Sequence, residues 1–177
     1  MADRSESRKY SKKQILMFAA GLIAVVIGLS VIGYLGIRKI YREYLKHKLM
    51  KENVVVEIAD IDIKAPVLEG TDNDTLAKAA GHFIGTGEPG KGNYCIAGHS
   101  STIYKEYFND LKKVRLGMKI TLYDTEKNKY HYTVTESFIV EPSETWVLDD
   151  FGDDRITIIT CTDDGKQRQV VVGQLDK

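Results

Sequence analysis

Apolar positions along the chain follow two regimes. Residues 15–37 run from Ile15 to Ile37 without a single charge, whereas from Val54 onward apolar residues come in short runs or alternate with polar ones. The first regime is long enough for a bilayer-spanning helix, which needs roughly 20 apolar residues. A cleavable leader has an apolar core of only ~7–15 residues, and no small-residue cleavage site follows before Arg38 and Lys39. A retained anchor is therefore expected. Beyond it, Ile40, Tyr41, Tyr44, Leu45 and Leu49 keep helical spacing, which fits either a helix running on along the headgroups or a flexible basic linker. The expected organisation is a polar tail over 1–14, an anchor over 15–37, a basic juxtamembrane segment over 38–52, and one folded domain over 53–177.

Within that domain the period is that of strands. Residues 54–59 and 60–67 predict the first two, with Pro66 marking an edge or a strand end. Thr71-Asp72-Asn73-Asp74 is rich in capping residues and predicts a short helix over 75–80, stopped by Gly81. A strand over 93–99 follows. Ser100-Ser101-Thr102 then reads as the cap of a short helix with Ile103, Tyr107, Phe108 and Leu111 on one apolar face. Residues 114–123 and 130–140 alternate and predict a hairpin. The excursion after Glu141 carries Trp146, Leu148 and Phe151 back towards a last hairpin, 155–161 with 168–172, joined by the Asp- and Gly-containing turn 162–167. The whole predicts a mostly β domain with short helices.

Charge changes this picture in one respect. The formal net charge is zero, but residues 1–52 hold 11 Lys and Arg against 4 Asp and Glu, which leaves 14 against 21, or −7, for residues 53–177. A basic anchor suits anionic lipid, and an acidic domain argues against nucleic acid. Five basic residues precede the apolar run and six follow it, so the positive-inside rule leaves the orientation open.

The candidate chemistry lies at the last hairpin. Cys161 closes one strand and Arg168 opens the next, so the antiparallel pairing places a thiol beside a guanidinium that favours thiolate and can stabilise an oxyanion. Of the four histidines, His99 ends a short apolar strand with Gly98 just before it, where the chain can turn and present the ring. His47, in the basic segment, His82, after the predicted helix stop, and His131, in an alternating strand, read as ordinary.

These residues carry a family resemblance. Thr157-Ile158-Ile159-Thr160-Cys161 resembles the Thr-Leu-x-Thr-Cys signature of sortases with Ile in the Leu position, Ala97-Gly98-His99 resembles their histidine motif, and Arg168 their following arginine. Residues 61–67 resemble the family's early strand, so the resemblance covers about residues 53–175. It implies a closed sortase β-barrel of about eight strands after one N-terminal transmembrane helix. The implied activity is cysteine transpeptidation, in which a Leu-Pro-x-Thr-Gly-like (LPXTG) signal is cut after Thr and the acyl group passes to an amine. Cys161, His99 and Arg168 would be catalytic, and Ala97, Ile159 and Thr160 would touch substrate. The implied partners are surface proteins with a C-terminal sorting signal and a peptidoglycan-precursor or pilin amine, with the N-terminus cytoplasmic and the domain outside the cell. The brief loop after Cys161 is similar to housekeeping class A or small class D or E members rather than to pilus enzymes with a lid.

Other readings compete for the same residues. A non-catalytic tethered β-domain binding a wall component, or a cysteine peptidase releasing free acid, would share these features. Cys95 and Cys161 allow a disulfide, with a reduced, buried Cys95 preferred. Residues 85–92 fit Gly-x-x-x-x-Gly-Lys but lack the following hydroxyl and helix of a phosphate loop, and so read as a flexible loop. Ser100 or Ser101 with His99 lacks the glycines of a nucleophile elbow. Asp149, Asp150, Asp153, Asp154, Asp163 and Asp164 make calcium conceivable, although no EF-hand spacing is present and a solvated acidic loop is preferred. Cys95, His99 and Cys161 lack a spaced zinc motif. No metal and no cofactor are assigned.

Overall fold

The computed structural model describes residues 11–101 and 106–177. The chain divides into two compact units, Met1–Leu45 and Lys46–Lys177. Helix α1 (Lys12–Glu52) is 41 residues long and buries none of them. Its most apolar window has a mean hydropathy of 2.8, so it is long and apolar enough to cross a membrane. Ser11 starts it: the Ser11 hydroxyl accepts from the Lys13 amide at 3.2 Å and the Gln14 side-chain oxygen accepts from the Ser11 amide at 2.9 Å, a reciprocal cap worth about 1 kcal/mol. The helix continues through the basic segment to Glu52, which selects the helical reading of 38–52 over the flexible linker. The expected tail falls mostly on residues 1–10, outside the described residues.

The second unit is a closed eight-stranded barrel. Its strands are β1 (Val54–Ile58), β2 (Ile63–Glu69), β3 (Ala80–His82), β4 (Asn93–Ala97), β5 (Lys119–Tyr123), β6 (Lys129–Val140), β7 (Arg155–Cys161) and β8 (Arg168–Leu175). Around the barrel they run β1-β2-β3-β4-β7-β8-β6-β5, and β5 pairs β1 to close it. Pairs β2–β3 and β4–β7 are parallel and the rest antiparallel.

Strand β7 explains its own β-branched run. Ile156 and Ile158 point into the main core with Tyr94, Ile96, Leu122, Tyr132 and Val171. Ile159, on the alternate face, packs with Val140, Val147, Val170 and Val172 in a second cluster. With both faces covered, the strand has no polar side, as expected of a doubly buried strand. Each buried Ile contributes roughly 1.5–3 kcal/mol.

Several expectations need correction. Helix α2 is only Asn73–Leu76, capped by the Asp72 carboxylate on the amides of Asp74 and Thr75. Gly81 belongs to β3 and stops no helix; it is glycine because a Cβ there would come within 2.2 Å of the Gly70 carbonyl oxygen. Pro66 lies inside β2, opposite Val55, and is tolerated because pairing with β3 begins only at Val67. Residues 85–92 are pinned rather than flexible. The Gly87 amide donates to Asn93 O at 2.7 Å, Gly90 to the Tyr132 hydroxyl at 2.7 Å, and Gly92 to an Asp154 carboxylate oxygen at 2.8 Å. Of the helix expected after His99, Thr102 and Ile103 lie outside the described residues, while Phe108 and Leu111 are fully buried.

Candidate active site

The register of three strands assembles the site. Strand β4 runs parallel to β7 with Ala97 beside Ile159, and β8 runs antiparallel with Arg168 opposite Cys161. Residues paired this way share a face, and the face of Cys161 and Arg168 is that of Ile159 and Val170, turned away from the barrel interior. Strand β4 ends at Ala97, and His99 follows at the same end, between Gly98, whose amide donates to Ile159 O, and Ser100, whose hydroxyl donates to Cys161 O. The structure therefore gathers His99, Cys161 and Arg168 at one rim, with Ala97 and Ile159 one step behind them.

Their environments differ. Cys161 and Arg168 are half-buried and His99 is exposed. The Arg168 guanidinium donates through Nη1 to Gln167 O at 3.1 Å and Gly165 O at 3.4 Å, so the side chain lies along the β7–β8 turn. Thr160 points the other way: its hydroxyl is buried and donates to Gly98 O at 2.8 Å. It holds the histidine segment rather than facing the Ile159 side. A cleft of about 190 Å³ opens beside Cys161, lined by Ser100, Phe108, Asn109, Lys112, Ile139, Thr160, Cys161, Thr162, Asp163 and Gln169. Lys112 spans it with a two-pronged ion pair to Asp163, at 2.8 and 2.7 Å.

Gly98 serves packing rather than turning. A Cβ there would sit 2.5 Å from the Phe108 ring, which is fully buried against this point of the chain. The Ser100 hydroxyl donates to the Cys161 carbonyl at 2.6 Å, which commits its proton and removes it as a nucleophile.

The two cysteines are separate and free. Cys95 pairs with Thr157, four residues before Cys161 on β7, an offset of about 13 Å at ~3.3 Å per residue. That exceeds the reach of a disulfide or of a shared zinc ion. Cys95 is buried beneath the β6–β7 loop, and burial pushes its thiol up to about 12.

Two functional features escaped the sequence. Asn93 is buried, donates to Val147 O at 3.1 Å and Asp149 O at 2.9 Å, and accepts from the Thr157 hydroxyl at 2.7 Å. It thereby ties the β6–β7 loop onto the sheet, and only its place at the start of an apolar run hinted at this. That loop carries Trp146, stacked on Phe138 with centroids 5.7 Å apart and edge-on to Phe151 at 6.4 Å. His82, read as ordinary, is buried in β3, with Nδ1 against the Glu69 carboxylate at 3.0 Å and the ring stacked on Tyr94. His131 is exposed, as expected. The acidic residues are dispersed among partners: Asp153 holds Arg155 and Gln174, Asp154 takes the Gly92 amide, and Asp163 takes Lys112.

Residues 56–176 match the family model for the Sortase domain. Sortase A of Bacillus anthracis is 36% identical over 137 residues, covering 75% of this chain and 65% of the relative. Sortase A of Listeria monocytogenes is 39% identical over 131 residues, covering 72% and 59%. The chain thus spans about three-fifths of the length of these relatives. Among solved structures, Listeria monocytogenes sortase A superposes with a TM-score of 0.67 at 34% identity, covering 72% of this chain and 88% of that one. A Clostridium perfringens Sortase D5 transpeptidase gives 0.65 at 33% identity, covering 76% and 88%. The chain belongs to the sortase family, and its closed eight-stranded barrel is the sortase fold.

Proposed function

We propose that this chain is a membrane-anchored cysteine transpeptidase that cleaves an LPXTG-like signal between Thr and Gly and joins the acyl part to a cell-wall amine. The observation that carries the reading is the direct opposition of Cys161 and Arg168 at the rim where the His99 strand ends. In this reading the Cys161 thiolate attacks the Thr carbonyl carbon and the oxyanion forms against the Arg168 fork. The carbon–nitrogen bond breaks as His99 gives a proton to the departing amine, leaving a thioester on Cys161. The acceptor amine then attacks the thioester, His99 takes its proton, and the thiolate leaves. Ala97 and Ile159 contribute to the substrate-facing surface, and Thr160 acts from behind through Gly98. Helix α1 anchors the chain, with the N-terminus cytoplasmic and the barrel outside. Surface proteins with a C-terminal sorting signal are the donors, and a peptidoglycan precursor or pilin amine is the acceptor. No cofactor is assigned; calcium would have to compete with Arg155 for Asp153 and with Lys112 for Asp163.

The test is mass spectrometry of products from the full chain in detergent, given a library of sorting-signal peptides with and without added amine. Cleavage after Thr, amide formation with the amine, and an acyl adduct on Cys161 are expected, and all three should vanish in Cys161→Ala. Free acid as the sole product would mark a peptidase. Function surviving in Cys161→Ala would mark a binding module.

A further inference from the structure

We infer that Ser100 is a positioning residue, its hydroxyl standing in for a ladder bond that the chain loses where β4 leaves the sheet beside Cys161. The inference rests on the transpeptidase reading above. In a parallel ladder the bonds from one strand to its neighbour recur every second residue. The Gly98 amide donates to Ile159 O at 3.1 Å, so the next rung would carry the amide of residue 100 to the carbonyl of residue 161. That carbonyl is instead met by the Ser100 side chain, at 2.6 Å.

The substitution has a geometric consequence. A backbone rung at residue 100 would require the strand to stay extended, whereas a hydroxyl lets the backbone turn away while keeping the attachment. His99 is thereby flanked by two residues fixed to β7. Gly98 is held through its amide to Ile159 and its carbonyl from Thr160, and Ser100 is held through its hydroxyl to Cys161. The peptide unit after the nucleophile is gripped from its other edge as well, because the Thr162 amide donates to Gln167 O at 3.0 Å. The histidine backbone and the cysteine backbone thus have one fixed offset, and the exposed imidazole is left free to meet substrate.

The test compares the full wild-type chain, Ser100→Ala and Ser100→Thr in detergent, reading kcat and KM on a sorting-signal peptide, the pH profile of Cys161 alkylation by iodoacetamide, and thermal unfolding. Ser100→Ala is expected to lower kcat on the order of tenfold to a hundredfold, as a misplaced catalytic group does, with KM unchanged. It should also move the alkylation profile, and Ser100→Thr, which keeps the hydroxyl, should restore both. Wild-type kcat and alkylation profile in Ser100→Ala would overturn the inference. So would a loss that Ser100→Thr fails to restore, or one that follows a lowered melting temperature with the alkylation profile intact. Alkylation needs no substrate, so it judges Ser100 even if wild-type chain makes no amide, the result that would sink the transpeptidase reading itself.

Discussion

Cys161 and Arg168 form a directly opposed pair on β7 and β8, and the Thr162 amide bond to Gln167 O makes theirs the non-hydrogen-bonded rung. In such rungs the Cα atoms come to about 4.5 Å and the side chains lie closest together. The Cβ atoms of Cys161 and Arg168 therefore leave the sheet side by side, while the guanidinium itself rests on the carbonyls of the β7–β8 turn.

Arg168→Lys keeps the charge but loses the planar fork, so turnover on a sorting-signal peptide should fall on the order of a hundredfold, comparable to losing an oxyanion donor. Circular dichroism and melting temperature should stay near wild type, since among the described residues the guanidinium donates to turn carbonyls. Full turnover in this variant would rule out the oxyanion role.

Reagents should distinguish the thiols. Cys95 is buried with its thiol pushed up to about 12, whereas Cys161 is half-buried at the rim. Iodoacetamide at neutral pH should modify only Cys161 in the native chain and both after denaturation, as read by peptide mass mapping. Native labelling of Cys95 would contradict the packing of the β6–β7 loop.

Asn93→Ala should loosen that loop. The change leaves the carbonyls of Val147 and Asp149 and the Thr157 hydroxyl without their partner, a loss of about 1–3 kcal/mol for each buried group left unsatisfied. Chemical denaturation should show the loss, and hydrogen exchange should locate it in residues 141–154. A variant as stable as wild type would show that the loop is held by other contacts.

Gly98→Ala drives a methyl group into the Phe108 ring. Overpacking of this kind costs about 1–3 kcal/mol. The strain falls one residue from His99, so turnover should drop even at temperatures where the fold is intact. Gly98→Ala combined with Phe108→Leu should recover part of it.

The acid side of the stability profile should depend on Asp153. Its hydrogen bond with the Arg155 guanidinium holds the carboxyl below the ordinary value of 3.8. A lowered folded-state value means stability that is present above the unfolded value and lost as pH falls through the folded one. Below about pH 4 the wild type should lose stability that Asp153→Asn never had, so the gap between their unfolding midpoints should narrow on acidification. A gap independent of pH would show that the carboxylate charge contributes nothing.

The barrel was legible in the chain because its strands announce themselves by alternation and β-branching, and the opposition of Cys161 and Arg168 because they close and open the strands of one hairpin. Short elements were not. Helix α2 ends at Leu76, since Ala80 is claimed by pairing with Val67 and Gly81 by pairing with Leu68 and Ala97, and no local pattern reveals such long-range claims. Thr160, expected from the family resemblance to touch substrate, lines the cleft beside Cys161 while its hydroxyl donates to Gly98 O, a bond no local pattern reveals. Asn93, His82 and Ser100 were missed or misread for one reason: their partners lie on segments that only tertiary pairing brings near.

The parallel β4–β7 seam also governs when the site comes together. Gly98 and Thr160, joined across it, are 62 residues apart in sequence. Contacts so remote carry a high closure entropy and form slowly. A nascent polypeptide thus presents His99 early, and the rim is complete only when the two C-terminal strands dock, so the timing of its assembly is set by strand order.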